Sequence, residues 1–254
     1  MRSVARPGVH GSAIAIALVT GCGGGHPSPA PAPSEARAAT APIDTTGLPR
    51  IRFPRGTTSG INDDKLAAGA TRSYVLHAQG GQIMLVHAIS WPVAEAEHPP
   101  PEPEVRVFEA ATGRELPSPR GEPEVWSARL PGTGDYIVRV TAEAPTAYTL
   151  AVQIPKRVET TPAEPTAVFT GTAPSRAPID FLVRVDAGRT LEVSLGGAPT
   201  VGLHIYGLND GIQLARLSDR QRLYAGRVET SQDYVVSMVP GAERAAYDLR
   251  VTVR

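Results

Sequence analysis

The chain is patterned at a period of two. In its last ten residues, Tyr247, Leu249, Val251 and Val253 alternate with Asp248, Arg250, Thr252 and Arg254. That alternation marks a strand with one buried face; a helix would repeat every 3.6 residues. SYVLHAQ (Tyr74, Leu76, Ala78 against Val75, His77) and AYTLAVQI (Tyr148, Leu150, Val152, Ile154) read the same way. QIMLVHAIS is apolar on both faces and suits an inner strand. In LPGTGDYIVRV, Leu130 to Val140, the interruptions at Pro131, Gly132 and Gly134 predict a tight loop, and Tyr136, Val138 and Val140 then open a half-buried strand. IRF, VRVF and EVWSARL add short strands. RGTTSGINDDKLAAGATR reads as turn-rich, with at most a short strand near Asp64 to Ala67. PVAEAEHPPPEPE, residues 92–104, is a proline- and glutamate-rich insertion that cannot lie inside a sheet.

The pattern occurs twice. SQDYVVSM answers TGDYIVRV 98 positions on, and Phe181-LVRVDAGRTLEV answers Tyr74-VLHAQGGQIMLV at an offset of 107. Seven or eight short strands per copy, separated by glycine and proline turns, predict two tandem antiparallel β-sandwiches, all-β, over residues 51–156 and 157–254. KRVETTPAEP, Lys156 to Pro165, is the short boundary, so the copies are expected to be close neighbours.

The amino-terminal 50 residues differ in character. Residues 1–21 hold Arg2, Arg6 and the short apolar run AIAIALV, and read as a signal peptide, too short to span a bilayer. Val19-Thr20-Gly21-Cys22 resembles a bacterial lipobox, which implies acylation of Cys22 and a lipid bilayer as partner; Gly23, rather than aspartate, implies the outer membrane. Residues 22–50 read as a lipidated cysteine on a flexible proline, alanine and glycine tether. Cys22 is the single cysteine, so no intrachain disulfide can form. Basic and acidic residues number 25 each. The copies carry 10 basic to 12 acidic and 11 to 11 residues, without the basic excess that nucleic acid demands.

Candidate chemistry is sparse. No G-x-S-x-G, H-E-x-x-H or phosphate-cradling loop occurs. Glu95, Glu97, Glu102 and Glu104 sit in the insertion, which is ill suited to hold two carboxyls at a fixed separation. His77 and His87 flank the Gly80-Gly81 turn and could be a metal pair or two surface histidines. Asn62 to Asp64 and Asn209 to Gly211 could give calcium ligands, but Asx turns account for both. A catalytic set built on His204 would need a buried cleft. No enzyme, cofactor or metal is expected. Trp91, at the mouth of the insertion, and Trp126, which corresponds to Tyr224 in the second copy, are the aromatic candidates for a binding surface; Trp126 also reads as an inward packing residue.

The run I-x-F, Y-x-L-x-A-x-x-G-Q, V-x-V-F, A-x-G, W-x-x-x-L-P-G-T-G-D-Y-I-V-x-V and Y-x-L-x-V resembles bacterial pre-peptidase C-terminal-type domains, and within them the periplasmic inhibitors of g-type lysozyme. That resemblance implies a jelly-roll-like sandwich and, for its inhibitor members, a loop inserted into a lysozyme cleft. Thr133-Gly134-Asp135-Tyr136 is similar to the Ser-Gly-x-Tyr element of lysozyme inhibitors; Ser231-Gln232-Asp233-Tyr234 lacks the glycine. The expectation is a non-enzymatic envelope lipoprotein that binds a protein or glycan, with a lysozyme-like wall hydrolase or an envelope glycan as partner. The alternative is a structural or accessory pair for envelope assembly. Tyr136 is equally readable as the first inward residue of its strand.

Overall fold

The computed structural model describes residues 41–91, 101–117, 125–216 and 221–254. Signal, Cys22, Glu95 and Glu97 lie outside them. Among the described residues every regular element is a strand. The first half comprises β1 (Ser59–Leu66), β2 (Thr71–Ala78), β3 (Ile83–Trp91), β4 (Glu104–Glu109), β5 (Glu115–Leu116), β6 (Val125–Arg129), β7 (Gly134–Thr141) and β8 (Thr146–Gln153). The second comprises β9 (Lys156–Val158), β10 (Thr166–Ala173), β11 (Ile179–Val185), β12 (Thr190–Gly197), β13 (Gly202–Gly207), β14 (Gln213–Ala215), β15 (Leu223–Arg227), β16 (Gln232–Val239) and β17 (Ala245–Val253).

The strand orders are β1-β8-β3-β6 and β2-β7-β4-β5, then β10-β17-β12-β15 and β14-β13-β16-β11-β9. Apart from the β4–β5 and β13–β14 pairs, successive strands alternate between the two sheets of a copy, and neighbours within β1 to β8 pair antiparallel, which is jelly-roll connectivity. The second half repeats it with β9 added parallel to β11. The fold class read from the alternation holds. Three stretches differ. IRF, Ile51 to Phe53, expected as a short strand, is irregular, and β1 starts only at Ser59. The NDD stretch lies inside the eight-residue β1, where Asp63 and Asp64 bond across to Thr149 and Tyr74. The boundary residues Lys156–Val158 are a strand because an open edge beside β11 accepts them.

Each sandwich has its own core, with Tyr74, Met84, Trp126, Tyr136, Tyr148 and Leu150 in the first and Phe181, Val193, Leu203, Tyr234 and Leu249 in the second. The outward faces explain the rest. In each copy the sheet holding the Asp-Tyr strand, called the front, carries an apolar quartet outside the core. In the first copy it is Val75, Phe108, Ala110 and Ile137, packed under Ile43 and Leu48. In the second it is Leu182, Tyr206, Leu208 and Val235, packed against Ile83, Leu85 and Val125 on the back sheet of the first copy. The copies therefore stack head to tail, front of the second on back of the first. Positions equivalent to Ile83 and Leu85 on the last sheet are Thr190 and Glu192, both polar. A polar outer face on a terminal repeat closes a stack to further additions.

The segment 43–51 is part of the fold, although its residues 43–50 are the end of the stretch read as tether. It crosses the first front sheet as a strap: Ile43 N–H donates to Ala110 O, Val75 N–H to Pro49 O, and Ile51 N–H to Val75 O. Arg50 bridges Val75 in parallel sense, as Arg157 pairs with Leu182 in β9.

Candidate functional site

The residues expected to form a site at the LPGTGDY loop come together, and each is engaged within the chain. Thr133 Oγ1 accepts from Gly80 N–H at 2.9 Å. A Cβ on Gly80 would stand 3.0 Å from the Gly132 carbonyl carbon, so the two loops require glycine to approach this closely. Asp135 binds Arg50 at 2.9 Å and His77 at 3.1 Å. The Arg50 hydrogen bond holds the Asp135 carboxyl below the usual carboxylate range. Tyr136 is buried in the core, and its hydroxyl donates to Gly132 O at 2.5 Å. This tyrosine ties its own loop closed four residues upstream, as a tyrosine corner does.

The second copy reproduces all three bonds. Ser231 Oγ accepts from Ala187 N–H at 2.8 Å, Arg157 grips Asp233 at 2.8 and 3.0 Å, and the Tyr234 hydroxyl donates to Thr230 O at 2.9 Å. Arg157 lowers the Asp233 pKa, with Arg184 and Arg129 adding to it. The departure at Gly134 is also local. Gln232 occupies that position and bonds Asp210 Oδ2 and Asn209 N–H, filling the space over Gly207. In the first copy Glu109 stands where Gly207 is, and Gly134 leaves room. Side-chain volume has moved one strand across.

Trp126 is a core residue whose indole N–H donates to Leu116 O. Trp91 is half-buried with the Arg176 guanidinium 4.0 Å from its ring centroid, a cation–π contact that takes one face of the ring. His77 points outward from the first front sheet and His87 outward from the opposite, back sheet, on the face of Ile83 and Leu85, so they do not meet. His87 Nε2 instead lies 2.7 Å from Asp180 Oδ2 across the joint between the copies, and both are buried, at 4% and 1% exposure. Beside them Gln153 accepts from Asp180 N–H and donates to Pro178 O. No signal in the alternation pointed to this clasp, because His87 and Asp180 face each other only once the sheets are stacked. Asp180, Ser237 and His204 lie in one register row across β11, β16 and β13; Asp180 and Ser237 are buried, and the Asp180 carboxylate is taken up by His87. Among the described residues, no group of three metal-ligating side chains occurs.

The open space is elsewhere. A cleft of about 490 Å³ lies where the 52–61 segment of the first copy meets the end of β10 and the start of β11, within the range of small-molecule sites. Arg52, Ile61, Lys156, Asp180, Phe181 and Tyr247 are among its walls.

No known family matches the chain. No curated protein matches it either. Solved structures give partial overlaps. The Aeromonas hydrophila PliG, a periplasmic inhibitor of g-type lysozyme, is 15% identical, with 39% of this chain and 95% of that one covered and a TM-score of 0.34. The Salmonella Typhimurium PliG is 14% identical over 39% and 96%, with a TM-score of 0.31. The CUB1-EGF-CUB2 domain of human MASP-1/3 is 10% identical over 78% and 100%, at 0.22. At such scores the functional argument rests on this chain's own geometry.

Proposed function

We propose that the chain is a non-enzymatic binding protein of the cell envelope, held to the outer membrane through Cys22. The observation that carries the binding reading is the cleft between the copies, whose cations Arg52 and Lys156 have no acidic partner among the described residues. By contrast, Thr133, Asp135 and Tyr136 are committed to bonds that the second copy repeats. Lysozyme inhibition is the finer form of the hypothesis. It draws on the resemblance of Thr133-Gly134-Asp135-Tyr136 to an inhibitory loop, and PliG proteins carry that function in their names. Lysis of cell-wall suspensions by g-, c- and i-type lysozymes, with the full chain in large molar excess, tests it: slowed lysis by one class is expected, and unchanged lysis by all three sinks the inhibitor form.

A structural or accessory pair is the second reading, favoured by the His87–Asp180 clasp, which fixes one copy on the other. A pull-down that returns an envelope assembly partner, with binding insensitive to Arg52→Ala/Lys156→Ala, would select it.

A further inference from the structure

Comparison of the two copies picks out the Tyr247 hydroxyl, which forms no hydrogen bond among the described residues. In the first copy Tyr148 shares a buried hydrogen bond of 2.7 Å with Tyr74, whose hydroxyl also donates to Asp64 at 2.9 Å. The equivalent of Tyr148 is Tyr247, at the same pairing position on the last strand of the copy: Asp64 pairs with Tyr148 and Gly171 with Tyr247. The equivalents of Tyr74 and Asp64 are Phe181 and Gly171, neither of which has a side-chain polar atom. Both polar members of the trio are gone and the tyrosine is kept. Glycine at 171 is what admits its ring, since a Cβ there would stand 2.9 Å from the Tyr247 hydroxyl. Burial raises the Tyr247 pKa, so the group is a proton donor at neutral pH. No hydrogen bond to it is formed among the described residues, and it lines the cleft between the copies.

The other walls of that cleft set the complement. Arg52 comes from the first copy and Lys156 from the junction, neither ion-paired among the described residues. The one acid in the lining, Asp180, is buried and bonded to His87. Thr58, Ser59 and Thr172 supply hydroxyls, and Ile61, 41% exposed, supplies apolar surface, with the buried Phe181 beneath the floor of the cleft. Phe181 is braced by Phe169 at 4.6 Å between ring centroids. Cations, a phenol donor, hydroxyls and apolar wall match a ring bearing both hydroxyl groups and a carboxylate. We infer that the cleft binds a carboxylated sugar, its carboxylate at Arg52 and Lys156, a ring or hydroxyl oxygen accepting from Tyr247, and its less polar face on Ile61. This rests on the binding reading above and names its ligand class.

Isothermal titration of the full chain with glucuronate oligomers tests it, with neutral gluco-oligomers, succinate and an acidic tripeptide alongside. Saturable binding of the uronate is expected, stronger than that of the other three. Arg52→Ala/Lys156→Ala should weaken it about tenfold or more, and Tyr247→Phe, which deletes one hydroxyl that forms no hydrogen bond among the described residues, about fivefold with unchanged unfolding temperature. Equal binding of the tripeptide or succinate, or uronate binding indifferent to both variants, overturns the assignment. Absence of uronate binding while envelope fractions still bind the full chain removes the sugar and leaves the broader function; absence of both removes both.

Discussion

At the scale of single residues, the Asp-Tyr pair is a fold device used twice. Its aspartate holds the arginine of an incoming edge segment and its tyrosine closes the loop before it, so the residues that made the motif visible are those with structural duties. The sequence could supply their spacing and periodicity; it could not say where their polar ends go, because Arg50 and Asp135 are 85 positions apart. Asp233 carries a pH consequence. Its carboxyl is buried beside Arg157, and its folded pKa lies below the ordinary value. The stabilisation is thus complete above the unfolded pKa of about 3.9 and is lost as pH falls through the folded pKa. Asp233→Asn is expected to lower the urea midpoint at pH 7 and to shrink the difference between parent and variant below about pH 4. An equal difference at pH 7 and pH 3 would remove Arg157–Asp233 as an acid-sensitive link.

At the scale of elements, alternation was sufficient for most strands, because a half-buried strand writes its face into every second residue. It failed where an element is held by an edge rather than by a face. The strap 43–51 and β9 are short, proline-flanked and without clear alternation, and they read as tether and boundary. Both are fixed by parallel backbone pairing to β2 and β11, which no local pattern announces. The strap also has a packing role, since Ile43 and Leu48 cover Val75, Phe108 and Ile137. Leu48→Ala is expected to cost about 1 kcal/mol, less than a fully buried leucine because Leu48 is half-buried. Adding Ile43→Ala should increase the loss and raise the fluorescence of a dye that reports exposed apolar surface. Denaturation curves unchanged in the double variant would mean that the strap covers the front sheet without stabilising it.

At the scale of the molecule, the joint between the copies turns two sandwiches into one stack. It is apolar at Leu85, Leu182, Tyr206 and Val235 and polar at His87, Asp180 and Gln153. Of the first set Leu85 was legible, in a strand apolar on both faces; the second set was not legible, since a polar residue on a strand ordinarily reads as solvent-facing. Removing one member of a buried pair strands the other, at about 3 kcal/mol or more. Asp180→Ala should therefore lower stability by that order and divide a single calorimetric unfolding transition into two as the copies uncouple. One undivided transition at the parent temperature would show that the apolar contacts alone join them. The strap has a mechanical consequence as well. Any tension on the amino-terminal segment reaches residues 43–51 before it reaches β1, and their bonds to Ala110 and Val75 must yield first. Under load the strap would act as a fuse: it would part from the front sheet, lengthen the chain and uncover Val75, Phe108 and Ile137 while both cores stay closed.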